Sequence, residues 1–271
     1  MLAVSTSPII ARYLNNVPAV AISFWRMGFG ALILWGISLV KKQDALKNGA
    51  LKRTLIAGIL LGIHFALFFG AIKLTTIANA TFLGTLAPLF TFFIEKYMLK
   101  RNHAPGLLFG LGFAIFGAII IIGNRFDFSS SYTIGNLLAV ACSIFLGMAF
   151  IISENVRKEV DTISYSRTLF SSAAVTLFVI SVFPGSALTG FSSGEFGGLL
   201  LLGIIPTLLG HGTMYFALRY VSPTVVAATP MGEPILASIL AWFLFQEAVG
   251  VATLIGGSIT FMGLFLLARQ K

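Results

Sequence analysis

Long apolar runs, separated by short polar or Gly/Pro-containing breaks, cover most of the chain. Each run is close to the roughly 20 apolar residues that a helix needs to cross a bilayer. Run length and the lack of period-two alternation favour helices over the strands of a membrane barrel. The pattern therefore predicts nine membrane-spanning helices, at 17–40, 54–72, 77–94, 105–123, 135–153, 163–183, 196–217, 223–245 and 249–268.

A shorter apolar stretch, Met1 to Leu14, precedes these runs and ends at Asn15. It is too short to cross a bilayer alone. It lacks a basic region before it and a cleavage site after it, which argues against a secretory signal. We expect it to be an additional transmembrane helix, which brings the total to ten, with its first turns truncated.

Composition agrees with a membrane protein. Hydrophobic residues make up 57% of the chain, charged residues 10%, and mean hydropathy is +0.96, whereas soluble domains are about 45–50% apolar and about 25% charged. The net charge of +9 would ordinarily suggest nucleic-acid binding. Here the basic residues lie in the loops between apolar runs, so no nucleic-acid partner is expected.

The loop charges predict the orientation, because cytoplasmic loops carry an excess of Lys and Arg. If the C-terminus is cytoplasmic, three basic residues fall outside, namely Arg12, Lys73 and Arg125. Thirteen fall inside: Lys41, Lys42, Lys47, Lys52, Arg53, Lys96, Lys100, Arg101, Arg157, Lys158, Arg219, Arg269 and Lys271. With ten crossings, both termini are predicted to be cytoplasmic.

The chain resembles itself. Ile22–Arg26 aligns with Ile163–Arg167 at an offset of 141 residues, and Pro88 aligns with Pro234 at an offset of 146. One insertion of five residues reconciles the two offsets. The sequence therefore predicts two repeats, joined by the polar stretch Asn124–Ile134, at 1–123 and 135–268.

Each repeat holds five crossings. Since five is odd, the second copy must enter the membrane from the side opposite to the first, which gives an inverted-topology repeat. Two such copies can exchange conformations, so that a cavity open to one side becomes a cavity open to the other. The predicted fold is thus an all-α integral membrane protein of two inverted five-helix repeats, with alternating access around a site near the midplane.

Several motifs in both halves resemble the drug/metabolite transporter superfamily in its EamA-like branch of ten-helix carriers. They are Trp25-Arg26, Phe69–Leu74, Ala87-Pro88, Tyr215–Leu218, Glu233–Ala237 and Gln246-Glu247. The resemblance covers nearly the whole chain. It implies a bacterial inner-membrane carrier, often an exporter of amino acids, metabolites or drugs, with a central cavity between the halves.

An acidic residue interrupts the ninth predicted helix. Glu233 lies almost midway along 223–245 and directly precedes Pro234, which removes a backbone donor and opens the helix locally. Pro88 is the counterpart of Pro234 in the first half, and both prolines are candidate hinges. Glu233 is a candidate for proton exchange or for binding a cationic solute; the alternative is a neutral carboxyl hydrogen-bonded between helices.

Other polar and aromatic residues within the spans complete the candidate pathway. His64 and His211 are near-aligned by the repeat, and imidazole suits proton coupling or ligand binding; the alternative is that local carbonyls satisfy them. Tyr215 follows His211 by four residues and shares its helix face. The further candidates are Asn79, Thr85, Trp25 and Phe68. Arg26 and Arg167, a few residues inside their spans, are interpreted as snorkelling toward the headgroups.

Catalytic and metal-binding patterns are absent from the sequence. No phosphate-binding loop, H-E-x-x-H or G-x-S-x-G sequence occurs, and the lone Cys142 allows no disulfide. Neither a metal nor another cofactor is expected, and energy for transport would come from solute or ion gradients. The alternatives are an uncoupled facilitator, an intramembrane lipid-modifying enzyme and a non-transporting membrane subunit.

Overall fold

Helices account for nearly all of the chain that the computed structural model describes, which is residues 1–123, 129–183, 185–246 and 248–269, with the side chains of Ile77 and Ala78 excepted. Arg125, Glu247 and much of the predicted linker lie outside these residues. The α-helices are α1 Leu2–Ala11, α2 Ala19–Val40, α3 Asn48–Leu74, α4 Ile77–Gly84, α5 Ala87–Phe93, α6 Pro105–Ile122, α7 Thr133–Glu159, α8 Thr162–Val182, α9 Ser193–Leu202, α10 Gly212–Ala217, α11 Pro223–Ala228, α12 Glu233–Phe245 and α13 Val251–Ala268.

Short stretches of other helix types join some of these elements. Two are π-helical, Ile94–Met98 after α5 and Gly203–His211 between α9 and α10. Two are 3₁₀ turns, Ser130–Tyr132 before α7 and Thr229–Gly232 between α11 and α12. The described residues contain no β-strand.

Eight of the nine predicted runs form helices that are long and apolar enough to cross a membrane. The remaining run, 77–94, is divided between α4 and α5 by a break at Thr85-Leu86. The N-terminal stretch forms the ten-residue α1, which is shorter than a full crossing. The chain is therefore a multi-pass integral membrane protein.

Many large apolar side chains point away from the protein. On α6, Phe109, Phe113 and Phe116 are exposed, while Gly110 and Gly117 on the other face are buried. A helix on the surface of a soluble protein instead buries its large apolar side chains and exposes polar ones. A surface of exposed apolar side chains is suited to contact with lipid.

Helices from the two halves of the chain pack against each other. Glycines let α6 and α13 touch at backbone distance: a Cβ on Gly110 would lie 2.9 Å from the carbonyl oxygen of Gly263, and one on Gly117 would lie 2.4 Å from that of Gly256. The pair α2 and α8 also packs together, and so do α5 and α11 from the two interrupted segments. Small residues commonly allow such close helix packing in membranes.

Some contacts between the two halves occur in two copies. The packing of α3 against α7 has its counterpart in α1 against the π-helical stretch Gly203–His211. Likewise, α5 packs on α7 and α12 packs on α1. Several pairs of helix neighbours therefore occur twice in the chain.

Two ends of the bundle are distinguished by their loops. We call the end formed by residues 41–47, 99–104 and 160–161 the basic end, and the end formed by 12–18, 75–76 and 185–192 the opposite end. Between the two ends lie the helix interruptions, which set the position of the polar residues described next.

Candidate functional site

Arg26 lies on α2 in the interior of the bundle. Its Nε donates to Thr207 Oγ1 at 3.2 Å and its Nη1 to Ser7 Oγ at 3.4 Å, while its guanidinium carbon lies 4.8 Å from the centre of the Phe65 ring. Nη2 is buried without a hydrogen-bond partner. Three segments that are distant in sequence thus converge on one cation.

The local structure around Thr207 explains this convergence. Pro206 lies within the π-helical stretch Gly203–His211, and the Thr207 hydroxyl donates to Leu202 O at 2.9 Å. Its oxygen remains free to accept from Arg26. A Cβ on Gly203 would lie 2.7 Å from Phe29 Cβ, so the glycine lets α2 approach closely. π-Helical segments within α-helices are frequent at functional sites.

Two histidines contact the same aromatic ring. His64 Nδ1 lies 2.9 Å from Cys142 O, and its ring centre is 4.9 Å from that of Phe65. His211 meets Phe65 edge to face at 5.6 Å, and its Nδ1 is buried with no partner. Phe68 stacks on His64 at 6.3 Å. The two predicted histidines are therefore both neighbours of Phe65.

Glu233 is the acidic member of this region. It is the first residue of α12, directly after the 3₁₀ turn Thr229–Gly232, and is only partly buried. It interacts electrostatically with Arg26, which in turn interacts with both histidines. Pro234 is the second residue of α12, and Pro88 holds the same position in α5. Glu233 thus lies at the interruption between α11 and α12 and is a charged neighbour of Arg26.

The other predicted residues lie elsewhere. Trp25 donates from Nε1 to Leu188 O at 2.7 Å near the opposite end. Asn79 donates to Asn136 Oδ1 at 2.9 Å, also near that end. The Thr85 hydroxyl bonds Phe82 O within its own segment. Tyr215 is fully buried among aromatic rings including Phe150, Tyr165 and Phe170. The structure does not bring these four together with Arg26.

The interpretation of Arg26 and Arg167 as snorkelling residues is wrong. Each is only 4% exposed, because partners inside the protein hold the guanidinium groups. For Arg26 they are those described above. For Arg167 they are the Asp44 carbonyl oxygen, 2.6 Å from Nη2, and the Trp35 ring, 4.4 Å away. In the sequence, the one indication that Arg26 is held by partners inside the protein is its place within a membrane span, where an unpaired charge is energetically costly.

An ionic network at the basic end was also missed from the sequence. Arg101 donates to Glu95 Oε1 and to Glu154 Oε2, each at 2.7 Å, and Lys158 pairs with Glu154 at 3.0 Å. The Thr224 hydroxyl donates to Glu95 Oε2. Glu95 is fully buried, so this cation and hydroxyl are needed to compensate its charge.

The network joins the two halves of the chain. Glu95 and Arg101 follow α5, Glu154 belongs to α7, and Thr224 belongs to α11. Both acids are engaged by basic or hydroxyl groups, and His103 Nε2 lies 4.0 Å from Glu95 Oε2. The described residues also contain no group of three or more His, Cys, Asp or Glu side chains suited to a metal ion.

These features define a polytopic helical membrane protein with a buried polar cluster between its halves. The EamA-like transporter family model matches residues 1–123 and 133–269. The chain belongs to the EamA-like transporter family, within the drug/metabolite transporter superfamily. It is accordingly a membrane transporter rather than an enzyme, and it acts on a small-molecule substrate in a lipid bilayer.

Relatives of known sequence agree with the family. An uncharacterized transporter of Archaeoglobus fulgidus is 22% identical, with 96% of this chain and 92% of that protein aligned. The uncharacterized transporter YyaM of Bacillus subtilis is 24% identical over 69% of this chain and 64% of YyaM. Protein LicB of Haemophilus influenzae is 23% identical over 84% and 78%. A solved crystal structure superimposes with a TM-score of 0.83 at 19% identity, covering 98% of this chain and 92% of its own, and thus shares the fold.

Proposed function

We propose that this protein is a secondary-active exporter of small organic solutes such as amino acids, metabolites or drugs. It works by alternating access between two inverted five-helix repeats, 1–123 and 135–268, with α1 as the first of ten crossings. The observation that supports this most directly is that several pairs of helix neighbours between the two halves occur twice, α3 with α7 as α1 with Gly203–His211, and α5 with α7 as α12 with α1. A pseudo-twofold axis in the membrane plane accounts for that recurrence.

The buried polar cluster is the proposed solute and proton site. Arg26, His64 and His211 lie around Phe65, and Glu233 is a charged neighbour of Arg26. Carriers with inverted repeats often bind solutes at broken helices such as the one formed by α11 and α12. Phe65 and Phe68 supply apolar surface beside these polar groups. Pro88 and Pro234 are the proposed hinges.

The ionic network at the basic end is the proposed gate. Arg101, Glu95, Glu154 and Thr224 link the halves across one mouth of the bundle. Rocking of one half against the other has to separate these groups. The basic end is the proposed cytoplasmic face of a bacterial inner membrane, on the charge asymmetry of the loops.

Proton coupling is proposed to run through Glu233, which has Arg26 as a charged neighbour. The second candidate is an uncoupled facilitator, in which Glu233 only balances the charge of Arg26. A membrane potential supplies about 2.3 kcal/mol per charge per 100 mV to a coupled carrier, and nothing to the electroneutral movement of a solute by a facilitator.

Counterflow and uptake in proteoliposomes, across a panel of metabolites at two imposed pH gradients, test the proposal. A coupled carrier accumulates its solute when a pH gradient is imposed, and Glu233→Gln abolishes that accumulation while leaving exchange. The matched control is Glu159→Gln, at the exposed end of α7. Indifference of the wild type to the pH gradient would favour the facilitator, and no flux of any solute would contradict transport by this chain alone.

A further inference from the structure

Two buried hydrogen-bond donors next to Phe65 have no partner. They are Arg26 Nη2 and His211 Nδ1, the latter as a donor in the Nδ1–H tautomer. Their side chains are only 4% and 5% exposed. They come from different segments, α2 and the stretch Gly203–His211, yet both side chains lie against the same ring.

An unpartnered buried donor is unusual, because most buried polar atoms are hydrogen-bonded and leaving one unsatisfied is destabilising. Here the remaining guanidinium nitrogens are held by Thr207 and Ser7, which fixes the plane of the group and the direction of Nη2. Thr207 and Ser7 therefore hold the guanidinium group in place, while its Nη2 has no hydrogen-bond partner.

The neighbouring acid does not supply the missing bond. Glu233 interacts electrostatically with Arg26, but the two side chains form neither an ion pair nor a hydrogen bond in the described structure. An anionic acceptor beside Arg26 is attracted by the guanidinium.

We propose that Arg26 Nη2 and His211 Nδ1 bind a carboxylate group of the transported solute, and that an apolar part of the same solute packs on Phe65 and Phe68. This assignment rests on the proposed function and names the chemical class of its substrate. A planar guanidinium matches a carboxylate in shape and charge, and bonds between ionised groups are stronger than neutral ones.

A matched pair of ligands isolates the carboxylate. The probes are 3-phenylpropionate and 3-phenylpropionamide, which have the same shape and differ in charge. Binding is measured by the ligand-dependent thermal stability of the purified protein in detergent. We expect the acid to bind at least about tenfold more tightly than the amide, the ratio that one charge-assisted hydrogen bond provides. Equal binding of the two, or no binding of either, would overturn the proposal.

Variants connect the preference to the two residues. Arg26→Gln should remove the preference for the acid, and His211→Ala should reduce it. His211→Asn should restore it, because the Asn amide nitrogen and His Nδ1 are both bonded to Cγ. If Arg26→Gln does not fold, the two His211 variants still test whether this site binds the carboxylate. The matched control is Arg167→Gln, which removes the repeat-related arginine of equal burial at the basic end and should keep the preference.

The same preparations separate this inference from the proposed function. Arg26-dependent binding of the acid by a protein that gives no counterflow would support the carboxylate site and contradict transport. Counterflow of neutral and cationic solutes, with no preference for the acid, would support transport and overturn the carboxylate site. Preference for the acid that survives Arg26→Gln would overturn it as well.

Discussion

Arg101 and Glu154 form an ion pair with 2.7 Å between Nη2 and Oε2, and this pair joins the segment after α5 to α7. The same guanidinium holds the fully buried Glu95. A single side chain thus connects helices from the two halves of the chain at the basic end. The first prediction concerns its removal.

Replacement of Arg101 by Ala should destabilise the protein. Loss of one partner of a buried ion pair typically costs about 3–5 kcal/mol, but Arg101 is 30% exposed, so water screens part of the loss and about 1–3 kcal/mol is expected. The measurement is the thermal unfolding of the purified variant in detergent. Lys52→Ala, at an exposed position of α3, is the control, and an equal effect of both changes would contradict the role of the network.

The packing of α6 on α13 gives a second prediction. Gly117→Ala places a methyl group 2.4 Å from the Gly256 carbonyl oxygen, so the helices must separate, at a cost of about 1–3 kcal/mol. Gly112→Ala on the same helix meets no atom within 4 Å and should be neutral or stabilising, because Ala has the higher helix propensity. Opposite signs in the shift of the unfolding temperature are therefore expected, and a destabilising Gly112→Ala would contradict this account.

A third prediction concerns the start of α8. Asp161 accepts hydrogen bonds from the backbone N–H groups of Ile163 and Ser164, each at 2.9 Å. Asp161→Ala should cost about 0.5–2 kcal/mol, the usual range for loss of such a cap. Unfolding of the variant in detergent at neutral pH measures this loss, and Asp161→Asn, which keeps an acceptor, should retain part of the stability.

The same cap depends on pH. Burial opposes ionisation, but the bonds from Ser164 and Ile163 and the charge of Arg157 outweigh it, so the pKa of Asp161 lies below its ordinary value of 3.8. A lowered pKa in the folded state means that the stabilisation is present above 3.8 and is lost as the pH falls through the folded-state value. The difference in stability between the wild type and Asp161→Ala should therefore shrink only in acid, and a difference that shrinks between pH 8 and pH 6 would contradict it.

Labelling with a membrane-impermeant thiol reagent tests the orientation. In a Cys142→Ser background, Ala45→Cys and Asn102→Cys at the basic end should be protected in intact cells and react after permeabilisation. Thr189→Cys at the opposite end should react in intact cells. Labelling of Ala45→Cys and Thr189→Cys from the same side of the membrane would contradict the proposed inversion of the repeats.

The apolar runs predicted the membrane helices well but not their ends. The run 54–72 corresponds to α3, which begins at Asn48, and the run 135–153 corresponds to α7, which ends at Glu159. Apolarity marks the part of a helix that meets lipid, whereas backbone hydrogen bonds continue into the polar turns beyond it. The same limitation hid the π-helical stretch Gly203–His211, because its residues are as apolar as those of an ordinary helix.

The polar cluster was predicted only in part. Glu233 and the two histidines are recognisable because a titratable group within an apolar run is unusual. The role of Arg26 was missed because Thr207, which holds it, lies 181 residues further along the chain. Glu154 and Arg101 are 53 residues apart, and no periodicity in a single sequence relates such partners; only the packing of the helices brings them together.

The first residue of α12 is Glu233, whereas the first residue of α5 is Ala87. If the halves trade shapes during each cycle, this mismatch makes the inward-facing and outward-facing forms unequal in energy. A duplicated carrier with identical halves would rest equally in either form. Under the alternating access proposed above, the single acid at position 233 would favour one of the two forms as the resting state, and moving it to position 87 should favour the other.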